Sequence, residues 1–109
     1  MTDTRRIRLT ERLILEVMDR CGPRRDELVV GLVGLQGLRP RQLGRLRGGD
    51  VDLRGERLVL VRPDADDVLP RRAGDVDEVD LHPHLTRVLR GYLRHDRNAP
   101  RGAADALLP

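Results

Sequence analysis

The sequence has 109 residues, of which 36% are charged, and its formal net charge is +3. It contains no lysine, and Tyr92 is its only aromatic residue, so we expect one domain with a modest core of leucine and valine. Cys21 is the only cysteine, which excludes an internal disulfide and a cysteine-based metal site. No apolar run resembles a signal peptide or reaches membrane-spanning length, and we therefore expect a cytoplasmic protein without a membrane partner.

The first part of the chain predicts a disordered arm and then a helix. Residues 1–8 are polar and rich in arginine, and we expect them to be disordered. Thr10 suits an N-cap, because its side-chain oxygen can accept a hydrogen bond from a free backbone N–H of the first turn. The helix that it opens ends at Cys21-Gly22-Pro23. One apolar stripe at helical spacing runs along it, formed by Leu13, Ile14, Val17 and Met18.

A second helix is predicted over residues 24–36, and it is apolar on nearly all sides. A helix of that kind is normally buried. Gly31 and Gly34 lower its helix propensity, and we expect them to let a neighbouring helix approach closely. Gly37 is placed to adopt the left-handed conformation that ends a helix.

The junction after this helix carries the main functional prediction. Arg39 precedes Pro40 and should be extended, while Pro40 suits the first turn of a short third helix that runs to about Leu46. The guanidinium of Arg39 can pair with two phosphate oxygens, and the helix start adds free N–H groups and the positive end of its dipole. Taken alone, Arg39 is better explained as an ordinary surface arginine of an arginine-rich chain.

Three short strands are predicted after the Gly48-Gly49 break, over residues 51–53, 57–61 and 75–81. The long loop before the third strand contains Arg71 and Arg72. The predicted fold is therefore α+β, with about four helices around a small, mostly antiparallel three-stranded sheet.

The fourth predicted helix spans residues 83–95, and its apolar face repeats at helical spacing. Residues 98–109 contain proline and glycine and are predicted to be a linker-like tail. Neither a metal nor another cofactor is expected. The acidic residues of the long loop and of the start of the third strand lack the spacing of a calcium-binding loop, and we expect a solvated loop; they are Asp64, Asp66, Asp67, Asp75 and Asp77.

The order of several short motifs resembles the tyrosine recombinase (phage-integrase) family. The motifs are Leu9-Thr10-Glu11, Arg25-Asp26, Gly37-Leu38-Arg39, Asp50-Val51-Asp52-Leu53 and Val79-Asp80-Leu81-His82-Pro83. In that family the Gly-Leu-Arg arginine binds the scissile phosphate, a tyrosine attacks this phosphate, and no metal or nucleotide cofactor is needed. The resemblance implies that Arg39 is a catalytic-type residue. It also implies that residues 9–97 are a partial integrase-like catalytic domain, corresponding to the first half of the family's domain.

The sequence departs from the family in several places. Gln42 stands where the family has a carboxylate that supports the arginine, although a glutamine oxygen can still accept a hydrogen bond from a guanidinium. The family's hairpin lysine is absent; Arg71 or Arg72 is nearest to that position, and arginine is a poor general acid. The family's His-x-x-Arg motif and nucleophilic tyrosine belong to the later half of its domain. Residues 84–87 spell His-x-x-Arg too early, and Tyr92 fits an apolar helix face.

We therefore expect a truncated integrase-like protein, related to DNA integration and site-specific recombination, that binds the DNA phosphate backbone and does not cleave strands on its own. The residues expected to contact DNA beside Arg39 are Arg41, Arg45, Arg47, Arg71 and Arg72. The alternative is a non-enzymatic interaction module that pairs the apolar surface of the second helix in a homodimer or against another protein. A helix-turn-helix regulator is less consistent with the sequence, because strands follow residues 40–46 without a recognition-helix pattern.

Overall fold

The computed structural model describes residues 10–109, and the predicted arm, residues 1–8, lies outside the described residues. Within the described residues, three helices are followed by three strands and a fourth helix: α1 (Glu11–Arg20), α2 (Arg24–Gly34), α3 (Pro40–Arg45), β1 (Val51–Asp52), β2 (Arg57–Val61), β3 (Val76–Asp80) and α4 (Pro83–His95). The predicted α+β class, with four helices and a three-stranded sheet, is confirmed for these residues. No helix among them is long and apolar enough to cross a membrane.

The capping residues that the sequence predicted are found at the helix ends. The Thr10 side chain accepts a hydrogen bond from the Leu13 N–H at 3.3 Å and begins α1. Gly37 has a φ of 70°, in the left-handed region that a residue without Cβ adopts at little cost. Arg39 is extended, with φ −87° and ψ 156°, and Pro40 is the first residue of α3. Gly37, Arg39 and Pro40 together separate α2 from α3.

Two glycines of α2 allow the close approach of its neighbours. A Cβ atom at Gly31 would lie 2.6 Å from Leu85 Cδ2 and 2.7 Å from Met18 Cε, and one at Gly34 would lie 2.8 Å from Ile14 Cγ2. Residues with a Cβ have no room there, because packed side chains fill the space. The predicted role of both glycines in close helix packing is confirmed.

The apolar stripe of α1 is only half covered. Ile14 and Met18 are buried against α2, whereas Leu13 and Val17 are 43% and 46% exposed. On α2 itself, Val33 is 45% exposed. Among the described residues α2 packs along one edge of the stripe, and no element covers the other edge.

The three strands form an antiparallel sheet in the order β1-β2-β3. Leu58 on the central strand pairs with Val51 on one side and Val79 on the other, and its side chain is fully buried. One continuous apolar core joins the sheet to the helices. It consists of Ile14, Met18, Leu28, Leu32, Leu38, Leu46, Leu58, Leu60, Leu81, Leu85, Leu89, Tyr92 and Leu107.

The segment predicted to be a linker-like tail packs onto the domain instead. Leu107 is fully buried, and its N–H donates to the Leu46 carbonyl at 2.8 Å. The Tyr92 hydroxyl donates to the Leu107 carbonyl at 2.7 Å, and the Gly48 N–H donates to the Asp105 carbonyl at 2.9 Å. The sequence of this segment has no helix or strand periodicity, and long-range contacts at single residues hold it in place.

Candidate nucleic-acid interface

Arg39 lies on the surface at the start of α3, where the sequence predicted it. Its side chain is exposed, and its guanidinium forms no ion pair with any carboxylate of residues 10–109. The left-handed turn at Gly37 directs the chain out of α2, and Leu38 anchors the junction because it is only 3% exposed. A cation on a fixed backbone with its donors free is suited to binding an anion from solution.

Gln42 supports this arginine in a different way from the one predicted. Its side-chain Oε1 accepts a hydrogen bond from the backbone N–H of Arg39 at 3.0 Å. This contact is the glutamine half of a capping box, which satisfies a backbone donor that the first turn leaves free. Gln42 therefore fixes the backbone of Arg39, and its oxygen is directed to that N–H rather than to the guanidinium.

A second glutamine, which the sequence did not single out, locks the same junction from the other side. The Gln36 side chain donates to the Asp80 carbonyl at 2.9 Å and accepts from the His82 N–H at 2.7 Å. These bonds tie the end of α2 to the connection between β3 and α4. No local pattern predicts them, because the partners lie 44 and 46 positions away.

Arg41 and Arg72 are the other predicted DNA contacts that are exposed and free of ion pairs within residues 10–109. Arg41 lies in the first turn of α3. Arg72 follows Arg71, whose Nη2 donates to the Arg45 carbonyl at the end of α3 at 2.9 Å. The loop that carries Arg72 therefore runs beside the helix that begins after Arg39.

The remaining three predicted contacts direct their guanidinium groups into the protein. Arg45 donates to the Ala65 carbonyl at 2.9 Å, and Arg47 donates to Asp67 Oδ2 at 3.1 Å. Arg71 pairs with both Asp50 and Asp67, and its side chain is only 13% exposed. In this arrangement these arginines hold the long loop against the domain.

Asp50, Asp67, Arg47 and Arg71 together form a partly buried ion cluster. Asp50 Oδ2 accepts from Arg71 Nη2 at 3.1 Å and from the Arg47 N–H at 2.9 Å, and the Asp50 side chain is 6% exposed. Burial opposes the charged form of Asp67, but hydrogen bonds and the positive charges of Arg71 and Arg47 outweigh it and lower the pKa of Asp67. Burial likewise disfavours charged Arg71, and the two carboxylates outweigh it and raise the pKa of Arg71.

This cluster corrects the expectation that the acidic loop is fully solvated. Asp64 and Asp66 are exposed, whereas Asp67 is drawn inward by its two arginines. In the sequence, Asp50 stands out only as the first residue of the Asp50-Val51-Asp52-Leu53 motif. The one sequence signal for this cluster is that Arg71 lies near the position of the family's hairpin lysine. That signal does not identify Asp50 and Asp67 as the partners of Arg71.

Tyr92 is fully buried, as its place on the apolar face of α4 predicted. Its hydroxyl donates to the Leu107 carbonyl at 2.7 Å. Burial raises the pKa of Tyr92, the charge of Asp96 raises it further, and Arg25 opposes part of the rise. A buried phenol with its proton in a hydrogen bond and a raised pKa is not positioned to attack a phosphate.

Comparisons with models of protein families, with curated proteins and with solved structures find no match to this chain. Within residues 10–109, no group of three or more histidine, cysteine, aspartate or glutamate side chains is arranged to hold a metal ion. The exposed arginines, on a backbone fixed by hydrogen bonds, are therefore the features of this surface that bear on function.

Proposed function

We propose that this protein binds the DNA phosphate backbone through Arg39 and is related to the tyrosine recombinases of DNA integration and site-specific recombination. The cytoplasm is its proposed location. The main observation in support of this proposal is the exposed, fixed position of Arg39. Its guanidinium is exposed and unpaired among the described residues, while capping and the Gln36 contacts fix its backbone on both sides. The order of motifs around Arg39 resembles the order found in that family, which is further support for the proposal.

Arg41 and Arg72 complete the proposed contact surface, because both are exposed and neither forms an ion pair within residues 10–109. Arg45, Arg47 and Arg71 act indirectly in this proposal. They bind the loop and the end of α3 to each other, and so determine where Arg72 lies relative to Arg39. The backbone positions of the three contact arginines are therefore held relative to one another.

Strand cleavage is not part of the proposed activity of this chain on its own. Tyr92 is the only tyrosine in the sequence, and its hydroxyl is buried against Leu107. Incubation of the purified protein with a nicked DNA duplex, followed by denaturing electrophoresis, is expected to give no covalent adduct. An adduct that disappears in the Tyr92→Phe variant would overturn this part of the proposal.

The binding proposal is tested by fluorescence anisotropy with a labelled DNA duplex at low salt. The triple variant Arg39→Gln/Arg41→Gln/Arg72→Gln is expected to bind about tenfold more weakly or worse, because each lost contact is a charge-assisted hydrogen bond. The control is Arg20→Gln/Arg94→Gln/Arg97→Gln, which removes the same charge from other exposed positions. Equal weakening in both triple variants contradicts a defined DNA surface.

A homodimer through α1 and α2 is the second candidate, and a specific observation favours it. An apolar cavity of about 290 Å³ opens between these helices, lined by Ile14, Val17, Val29, Val30, Val33 and Gly34. Its rim carries Val17 and Val33, which are 46% and 45% exposed. A twofold axis beside such a helix pair would bring two copies together as four helices and bury these side chains.

The solution mass of the protein, measured by light scattering during size-exclusion chromatography, tests this second candidate. The wild type is expected to be a dimer, and Val33→Asp is expected to be a monomer because a charge would be buried in the contact. Val68→Asp is the matched control, since Val68 is 44% exposed in the long loop. A monomeric wild type contradicts the dimer and leaves the DNA-binding proposal unaffected.

A further inference from the structure

A second group of arginines lines a cleft on another part of the surface. The cleft has a volume of about 680 Å³ and lies between the β1–β2 turn and the first half of α4. Arg54 projects from the turn, and Arg87 and Arg90 belong to α4. The remaining lining residues are Leu53, Glu56, Pro83 and Thr86.

The backbone around the cleft is held by hydrogen bonds on both sides. The Gly55 N–H donates to Asp52 Oδ1 at 2.9 Å, which closes the turn. Glu56 adopts a φ of 52°, and its carbonyl accepts from the Leu81 N–H at 2.8 Å, so the turn is joined to the segment that leads into α4. On α4, positions three apart are neighbours on the helix surface, so Arg87 and Arg90 lie side by side.

The charges in this cleft are unbalanced. None of its three arginines, Arg54, Arg87 and Arg90, forms an ion pair with a carboxylate of residues 10–109. By contrast, Arg57 and Arg62 do form such pairs. Glu56 is the one carboxylate in the lining, and its Oε2 accepts from the Thr86 hydroxyl at 3.3 Å. Clustered positive charges repel one another, and an anion bound between them would remove that repulsion.

We propose that this cleft is a phosphate-binding site in which Arg54, Arg87 and Arg90 bind the oxygens of a phosphoryl group. Guanidinium groups approaching from the turn and from α4 surround a tetrahedral anion on two sides, and their planar donor arrangement matches phosphate oxygens. Such a group belongs either to a free polyphosphate or to a nucleic-acid backbone, and the recognition chemistry is the same. The site is independent of Arg39 and does not rest on the function proposed above.

Calorimetric titration with tripolyphosphate tests the site. The wild type is expected to bind one tripolyphosphate saturably, and Arg87→Gln/Arg90→Gln is expected to bind about tenfold more weakly or worse, because two charge-assisted contacts are lost. Glutamine is a good helix former, so α4 is expected to persist. The matched control is Arg94→Gln/Arg97→Gln, with the same charge change outside the cleft. Arg54→Gln tests the site from the turn without altering α4.

The titrations of these variants distinguish a defined phosphate site from nonspecific charge attraction. Weakening confined to the Arg54 and Arg87/Arg90 variants, with full binding kept in the control and in Arg39→Gln, supports the site. If a short DNA duplex then displaces tripolyphosphate, the natural ligand is assigned to a nucleic-acid backbone. If the duplex does not displace tripolyphosphate, the natural ligand is assigned to a free polyphosphate. Equal weakening in the cleft variant and the control, or no saturable binding by the wild type, overturns the proposal.

Discussion

At Gly31, side chains of both α1 and α4 pack against the backbone of α2. The Gly31→Val variant would direct its side chain at Leu85 and Met18, both fully buried. We expect it to lower the free energy of unfolding by about 1–3 kcal/mol, because the core has no space for extra methyl groups. Gly44→Val is the control: a Cβ there meets nothing within 4 Å, and we expect a change within about 0.5 kcal/mol. Urea unfolding measures both, and equal effects would contradict the packing described at Gly31.

Asp67 makes the stability of the protein depend on pH in a defined direction. Its pKa is lowered in the folded state from the ordinary value of 3.8. As the pH falls, Asp67 therefore becomes protonated in the unfolded chain before it does in the folded protein. Its contribution to the free energy of unfolding is complete above about pH 3.8 and is lost as the pH falls from there through the lowered pKa. We expect the wild type to be more stable than Asp67→Asn at neutral pH, with the difference shrinking as the pH falls through the lowered pKa. If the difference in the free energy of unfolding is as large in strong acid as at neutral pH, the ion pairs of Asp67 are contradicted.

At the scale of elements, Leu107 is the one buried residue of the C-terminal segment, residues 98–109. Leu107 is fully buried beside Leu46 and Tyr92. We expect Leu107→Ala to lower the free energy of unfolding by about 2–5 kcal/mol, because it leaves a cavity in the core. Leu69→Ala is the control, since Leu69 is 48% exposed, and thermal or urea unfolding measures both variants. If Leu107→Ala costs no more than Leu69→Ala, the segment is not packed in solution.

The sequence predicted individual elements well wherever the signal was local. Thr10, Gly37 and Pro40 mark helix ends through their own backbone chemistry, and α4 was predicted over the residues that it occupies. The half-exposed stripe of α1 was not predictable, because periodicity identifies an apolar face without identifying what covers it.

At the scale of the whole molecule, long-range contacts decide which arginines remain available. Composition alone treats the arginines as equivalent. The structure pairs Arg47 and Arg71 with Asp50 and Asp67, while it leaves Arg39 exposed without an ion pair among the described residues. Asp67 lies 20 positions from Arg47 and Asp50 lies 21 positions from Arg71, so no local motif reveals these two pairs; only the Arg71–Asp67 pair, four positions apart, is local. The predicted place of Arg39 in the fold is found, and its binding to phosphate stays a prediction.

The salt dependence of DNA binding tests the central claim most directly. Each phosphate neutralised by the protein adds about 0.9 to the slope of log affinity against log salt concentration. We expect Arg39→Gln to weaken binding and to lower this slope by about one unit relative to the wild type. Arg20→Gln, at the exposed end of α1, is expected to leave the slope unchanged. Identical slopes for the wild type and Arg39→Gln, or no DNA binding by the wild type at low salt, would contradict a phosphate contact at Arg39.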